Sequence, residues 1–281
     1  MHTALITIAA GRHKHLRRQH AAVSEQHAAP DLYLCVTMGD PEAPALSGLA
    51  EVRVPSGPDL PLAAARNAGA DAAIRDGAEL LIFLDVDCIP GNRLVSAYQE
   101  AAAGGAGFAP VSALCGPVGY LPPLDAGRRY RDRELAAIAI EHPDRPITGG
   151  NTSGDVNLFW SLSFAMSAVD WDSVGGFDER YTGYGGEDTD FAQKLAQTAG
   201  RLAWTPEARA YHQHHESHDP PSQHVESIVR NANMFRTRWG WFPMADWLND
   251  FERLGLATFD PTTDRWRTTQ PPLDAERDIE D

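Results

Sequence analysis

Cysteine is scarce in this chain: Cys35, Cys88 and Cys115 are the three it has in 281 residues. An odd number of thiols, widely spaced and set in or beside apolar runs, argues against a disulfide framework or a zinc site and predicts buried free thiols. Long hydrophobic runs are missing too, since no apolar stretch approaches the ~20 residues of a bilayer-spanning helix. The opening residues, MHTALITIAAGRHKHL, place their basic side chains after a short apolar run, the reverse of a secretory signal. The chain is read as soluble and cytoplasmic, with any membrane contact peripheral. Positive charge is also in short supply, with 24 Lys plus Arg against 39 Asp plus Glu and a net charge of -15. That balance excludes non-specific nucleic-acid binding. It also means that a diphosphate facing acids needs a metal or local arginines, because a unit-charge pair ~4 Å apart is worth roughly 4 kcal/mol at an effective dielectric of ~20.

What is present is an ordinary apolar content of 43%, enough for a real core. Sheet-like and helix-like stretches alternate in the first hundred residues. Ala4 to Ile8, Leu32 to Val36 and Leu80 to Leu84 read as strands; Leu16 to Gln26, Leu62 to Asp76 and Arg93 to Ala103 read as helices. Strands separated by helices predict an α/β fold, a Rossmann-like, mostly parallel sheet with right-handed crossovers. From Phe108 the pattern breaks into Gly/Pro-rich loops with an Arg-rich segment at 127–133 and a polar stretch from Glu141 to Asp155, the usual sign of lids or binding loops. Asn157 to Ala165 and Leu202 to His212 read as later strands. Phe191 and Leu195, at i and i+4, mark a helix that Gly200 stops. Gln223 to Trp239 and Met244 to Leu254 read as closing helices. The expected organisation is one domain over 1–256, with a nucleotide-binding half (1–110), an acceptor and catalytic half (111–215) and C-terminal helices (216–256), followed by a loosely ordered tail (257–281).

Three motifs carry chemistry. LLIFLDVDCIP (80–90) is built to be buried, yet ends on Asp85 and Asp87, whose side chains point the same way on an extended chain and repel unless a cation lies beside them. Parallel strands end where ligands gather. In Gly183-Tyr184-Gly185-Gly186-Glu187-Asp188, glycines allow close backbone approach and two acids stand at a helix N-terminus, where they could equally offset the helix dipole. YHQHHESH (211–218) supplies imidazoles; on an extended chain His212 and His214 face one way and His215 the other. A mixed Asp, His and diphosphate shell suits Mn²⁺, with Mg²⁺ second.

In their order, LPLAAARNAGADAAIRDGAELLIFLDVDCIP, GGFDERYTGYGGEDTDF and AYHQHH resemble the metal-dependent glycosyltransferases of the GT-A fold. The chain is most similar to the large inverting family 2 and to the β-1,4-galactosyltransferase type with its Gly-Trp-Gly-Gly-Glu-Asp motif. The resemblance spans about Leu5 to His215. It implies an inverting transfer of a sugar from a nucleoside-diphosphate donor, a UDP-sugar favoured, to a hydroxyl of a glycan, lipid-linked or small-molecule acceptor. It places Asp87 on the metal that bridges the donor diphosphate, with His212 as a further ligand and His214 as the fallback. Asp85, with Val86 between the acids, would meet the donor ribose or the metal. Thr7, Ala9, Gly11 and Arg12 after the first strand and Asp40 after the second would hold the base, with Arg66 near donor groups. Asp188 would be the catalytic base, and Tyr184, Gly185, Gly186 and Glu187 would shape the sugar and acceptor site. This chain carries Tyr184 where the galactosyltransferase type has Trp, and TIAAGR lacks that type's Pro and first Arg.

Such a transfer passes through an oxocarbenium-like state as the acceptor hydroxyl attacks opposite the leaving diphosphate. A carboxylate takes the proton and a metal offsets charge on the leaving phosphate. Three rivals share parts of the pattern. LLIFLDVDCI also resembles the first motif of haloacid-dehalogenase phosphatases, but the motif lies far from the start and Lys14 and Lys194 fall in the wrong order. A retaining GT-A enzyme would need no base, which leaves GGED without a role. A non-catalytic sugar-nucleotide-binding module would have no use for so complete a set of acids.

Overall fold

A computed structural model describes residues 1–104, 112–124, 130, 132–143, 145, 148–216 and 218–269. The chain opens with β1 (Thr3–Ala9), α1 (His13–Ser24), β2 (Leu32–Met38), β3 (Ala50–Val54), α2 (Leu62–Arg75) and β4 (Leu80–Leu84). Next come β5 (Cys88–Pro90), α3 (Leu94–Ala103), β6 (Ser112–Cys115), β7 (Val118–Tyr120), α4 (Asp132–Ile138), β8 (Thr152–Gly154), β9 (Ser163–Ser167), α5 (Ala168–Val174) and α6 (Glu187–Gln197). β10 (Arg201–Trp204), β11 (Ala210–His212), α7 (Val225–Trp239), α8 (Ala245–Arg253), β12 (Ala257–Asp260) and β13 (Arg265–Thr268) complete it.

The central sheet runs β3-β2-β1-β4-β9-β6-β10-β8. β1 pairs parallel with both β2 and β4, β2 with β3 and β6 with β10, while β9 lies antiparallel between β4 and β6 and β8 is an antiparallel edge. After β1 the chain winds outward to β2 and β3, then returns to β4 on β1's other side. Strand order therefore reverses between β1 and β4, the place where ligands bind in such sheets. Period-two alternation sends Ala4, Ile6, Ile8, Leu81 and Phe83 to one core, with α2 and the aromatic group of Phe164, Trp171, Phe177 and Phe191. Leu5, Leu80, Ile82 and Leu84 go to the other, against Leu94, Val95 and Tyr98 of α3. Cys35, Cys88 and Cys115 are buried and free, as their surroundings predict. Among the described residues no helix is long and apolar enough to cross a membrane.

Close contact of α2 with the sheet depends on Gly69. A Cβ there would lie 2.5 Å from Cγ2 of Ile6 and 3.0 Å from Cγ2 of Val36. Gly69→Ala gains ~1 kcal/mol of helix propensity but overpacks a stiff β-branched neighbour at ~1–3 kcal/mol. The expected result is a lower urea midpoint with an unchanged slope, read by equilibrium unfolding.

Three expectations are corrected. Leu202–His212 is not one strand, because Pro206 offers no ladder donor: β10 stays in the central sheet and β11 crosses to a small sheet, β5-β11-β7. Asn157–Ala165 begins as a 3-10 turn, Val156–Leu158, capped where the Asp155 side chain accepts from the Asn157 N–H (2.9 Å), and becomes β9 only at Ser163. The tail expected to be loose from 257 starts as the β12–β13 hairpin, anchored because Asn233 accepts from the Trp266 N–H (2.9 Å) and donates to its carbonyl (2.8 Å). Residues 270–281 of that tail and most of the Arg-rich segment 127–133 lie outside the described residues. The alternating edge strand β3 was not expected.

Candidate active site

Leu84 ends the buried strand β4, and the next three residues turn out of the sheet. Gln19 of α1, fully buried, holds that turn: its Nε2 donates to the carbonyls of Asp85 (2.7 Å) and Cys88 (3.0 Å), and its Oε1 accepts from the Tyr33 hydroxyl (2.8 Å). The two acids consequently part company. Arg66 of α2, only 4% exposed, donates through Nη2 to both oxygens of Asp85 (3.0 and 3.3 Å) and faces Glu187 at 3.8 Å. Asp87 faces the other way, toward Arg12 at 3.4 Å and toward His212 and His215, both at 3.6 Å.

The small sheet makes this second cluster. β11 runs antiparallel to β5 with His212 opposite Cys88, and the Gln213 N–H donates to the carbonyl of Asp87 at 2.7 Å. The chain leaves the strand after His212, so strict alternation no longer holds. His215 returns to the site with its ring centroid 5.1 Å from that of His212, while the fallback His214 is exposed and bonded by its N–H to the Tyr130 hydroxyl. Asp87, His212 and His215 each offer a ligand atom, and these atoms lie within 4.8 Å of one another. Burial lowers the pKa of His212, against the pull of Asp87, and so favours the neutral imidazole, the form that binds a metal. One carboxylate and two imidazoles suit a divalent transition ion, and diphosphate oxygens completing the shell would favour Mn²⁺.

At the other wall, Gly183, Gly185 and Gly186 take φ of 72°, 92° and 93°, a left-handed path that L side chains resist. A Cβ on Gly185 would also lie 2.7 Å from Sδ of Met244. Asn231 of α7 pins this loop by donating to the carbonyls of Gly185 (2.8 Å) and Thr182 (3.1 Å). α6 then begins at Glu187. Asp188 accepts from the Ser161 N–H at 3.0 Å through one oxygen, while its other, Oδ1, is buried with no partner. Glu187 Oε2 and Arg66 Nε and Nη1 are likewise buried without a hydrogen-bond partner. Unpaired buried polar atoms cost ~1–3 kcal/mol each, and their gathering here marks a site organised for a ligand's polar groups. Tyr184 is 40% exposed and stacks on His224 (centroids 5.0 Å, 20°), with Trp247 5.9 Å away.

Burial raises the pKa of Asp85 against the pull of Arg66. The Glu187 carboxyl is pushed up to about 7 from 4.5, first by burial and then by the Asp188 charge, with Arg66 opposing. A raised folded pKa means that the folded chain holds this proton more tightly than the unfolded one. That stabilisation is complete below pH ~4.5 and is lost as pH rises through ~7. The wild-type melting temperature is accordingly expected to lose more between pH 5 and 8 than that of Glu187→Gln, measured by calorimetry in chelator.

Several predicted donor contacts lie elsewhere. Thr7 and Ala9 sit inside β1 at 1% exposure, paired with Cys35 and Thr37 of β2, and Val86 packs with Ala9, Leu16 and Cys35, so these side chains are buried in the fold. Asp40 staples two loops, accepting from the Gly11 N–H (3.0 Å) and from His13 Nε2 (2.8 Å). Arg12, in the left-handed region at φ 50°, remains at the site. His15 has its Nε2 buried without a partner and its ring 6.4 Å from that of His215. The signal was present as helix phase, since His15 follows Arg12 by three.

Comparison with known proteins gives three findings. A family model described as the N-terminal domain of galactosyltransferase matches residues 149–218, which include the GYGGED loop and His212, His214 and His215. Validoxylamine A glucosyltransferases of Streptomyces hygroscopicus subsp. jinggangensis (strain 5008) and subsp. limoneus are each 30% identical over 202 residues, 62% of this chain, and 44% and 41% of theirs. The chain thus spans less than half the length of these curated relatives. The crystal structure of GalNAc-T7 with UDP, GalNAc and Mn²⁺ superposes with a TM-score of 0.57 at 13% identity, over 89% of this chain and 56% of that one. The α/β architecture built around β1 and β4 is thereby identified as the GT-A glycosyltransferase fold.

Proposed function

We propose that this protein is a metal-dependent, inverting glycosyltransferase that moves a sugar from a UDP-sugar to a hydroxyl of a neutral, polyhydroxylated acceptor. The observation that carries the reading is the pairing of an oriented base with a metal-capable cluster. Asp188 has one oxygen pinned by Ser161 and the other without a partner, and both Asp188 and Asp87, which gathers with His212 and His215, lie near enough to act on the Asp85 carboxyl. Curated glucosyltransferase relatives and a fold neighbour crystallised with UDP and Mn²⁺ support it. Asp87, His212 and His215 would hold the ion, whose chemistry is to offset charge on the leaving diphosphate. Arg12 adds positive charge beside Asp87. Asp188 Oδ1 takes the acceptor hydroxyl's proton as that oxygen attacks the anomeric carbon. Arg66 keeps Asp85 and Glu187 from crowding that base with uncompensated charge.

A cavity of about 570 Å³ suits the acceptor; it is lined by Asn157, Thr189 (the residue after Asp188), Gln193, Trp241, Pro243 and Met244. None of these is charged. Gln193 donates to Asn157 at 3.1 Å, leaving amide atoms for hydroxyls, and Trp241 is 40% exposed for a sugar face. Trp241→Ala is expected to raise the acceptor KM up to ~10-fold, the equivalent of a stacking contact near 1.4 kcal/mol, without changing UDP affinity.

The test is a thermal-shift screen of nucleoside diphosphates with and without Mn²⁺, followed by NMR of the product's anomeric configuration. Chelator-sensitive stabilisation by UDP and an inverted product are expected. A retained configuration would overturn the inverting mechanism, and the absence of any nucleotide shift would overturn the transferase reading.

A further inference from the structure

Away from that site, α7 presents residues 230, 233, 234, 237 and 238 along one face, at the i, i+3, i+4, i+7, i+8 spacing that normally covers an apolar core. Here the face is open and reads Arg, Asn, Met, Thr, Arg. With Arg180 and Arg265 it lines a cavity of about 690 Å³ that has four arginines and no carboxylate among its lining residues. In a chain with 24 basic residues and a net charge of -15, such convergence runs against the overall field.

The arginines are held in place from behind. Asp178 bonds two of them, Arg180 at 2.5 Å and Arg238 at 3.1 Å. Arg238 also meets the fully buried Asp190 at 3.0 Å, and Arg230 meets Asp59 at 2.9 Å. The Asn233 clamp on Trp266 fixes Arg265 at the rim. Among the described residues Arg265 has no ion partner. Arg180 spends Nε and Nη2 on Asp178, Arg238 spends Nη1 and Arg230 spends both Nη atoms on Asp59 and Thr182, which leaves Arg180 Nη1 and Arg238 Nη2 without a hydrogen bond to the described residues.

We infer that this cavity is a second ligand site, for a small phosphate-bearing molecule, distinct from the donor diphosphate site and independent of metal. Guanidinium forks match phosphate oxygens in geometry, and several of them together favour a multiply charged phosphate over a single carboxylate. The volume falls within the range of small-molecule sites. It shares no residue with Asp87, His212, His215 or Asp188. The inference stands on the cavity alone and does not require the proposed transferase activity.

The experiment is calorimetric titration of the full chain with inorganic pyrophosphate in chelator at low ionic strength, where metal-bridged binding is abolished and screening is weak. One saturable event is expected. Arg180→Ala combined with Arg265→Ala should weaken it at least ~10-fold, a loss equivalent to one or two charged hydrogen bonds, while Arg12→Ala leaves it unchanged. Arg180 is 68% exposed and Arg265 is exposed, so folding should survive, checked by an unchanged melting temperature. UDP in the same buffer separates the sources: binding equal to that of pyrophosphate means that a nucleotide's phosphates are accepted, and pyrophosphate alone means a free phosphorylated metabolite. No heat from either ligand, or binding lost in Arg12→Ala and kept in the double variant, overturns the second site.

Discussion

Asp188→Asn is expected to lower turnover by roughly 10²- to 10⁴-fold, the usual worth of a general base, while Mn²⁺-dependent UDP affinity stays within about threefold. The asymmetry follows from where the carboxylate is bound. Its structural duty, accepting from the Ser161 N–H at 3.0 Å, can be met by the amide oxygen of Asn. What Asn cannot do is take a proton at the position of Oδ1, which in the wild type is buried and faces no donor. Glu187 is a poorer base, because burial and the neighbouring charge push its carboxyl up to about 7 and its ionised form faces Arg66. Single-turnover kinetics beside UDP titration would read the split. Turnover within ~10-fold of wild type would assign the base elsewhere.

Asp87→Ala is expected to abolish the part of UDP binding that chelator removes. At a ligand concentration of ~100 Kd that binding stabilises the wild type by ~2.7 kcal/mol, so the loss is visible as a vanished melting shift. His212→Ala and His215→Ala should each weaken Mn²⁺ retention by ~10- to 100-fold, on the scale seen when metal-site interactions are removed, and His214→Ala should not. Direct Mn²⁺ titration followed by paramagnetic resonance reads this without any turnover. Equal effects at His214 and His215 would mean that the cluster forms differently once an ion is present.

The contrast between those histidines shows how far the residue pattern reached. Alternation along an extended strand paired His212 with His214, sound reasoning for as long as the strand lasts. It lasts only to His212, where β11 runs out of partners, and the turn that follows brings His215 round to Asp87. Asp85 and Asp87 were read as a matched pair because a strand points them alike. Gln19 and Tyr33 bend that segment out of the sheet and Arg66 takes Asp85 for itself, contacts spanning 14 to 66 residues of chain that no local pattern encodes. Thr7 and Ala9 were expected at the base through the family resemblance; β1 runs on to Ala9 and buries both side chains.

Local chemistry by itself determined the strands β1, β2 and β4, the helices between them, the burial of the thiols, and the presence of acids where a buried strand ends, because hydrophobic period and helix-stopping glycines act over neighbouring residues. It also set apart the glycines before Glu187, whose left-handed backbone other residues resist. Only the tertiary structure decided which acid is taken by Arg66 and which faces the histidines, which histidines those are, and that Asn231 and Arg238 of α7 hold the 183–186 loop and α6. Those outcomes depend on burial and counter-charges supplied by segments far apart in the chain, and burial exists only once the sheet, the helices and the small β5-β11-β7 sheet have packed together.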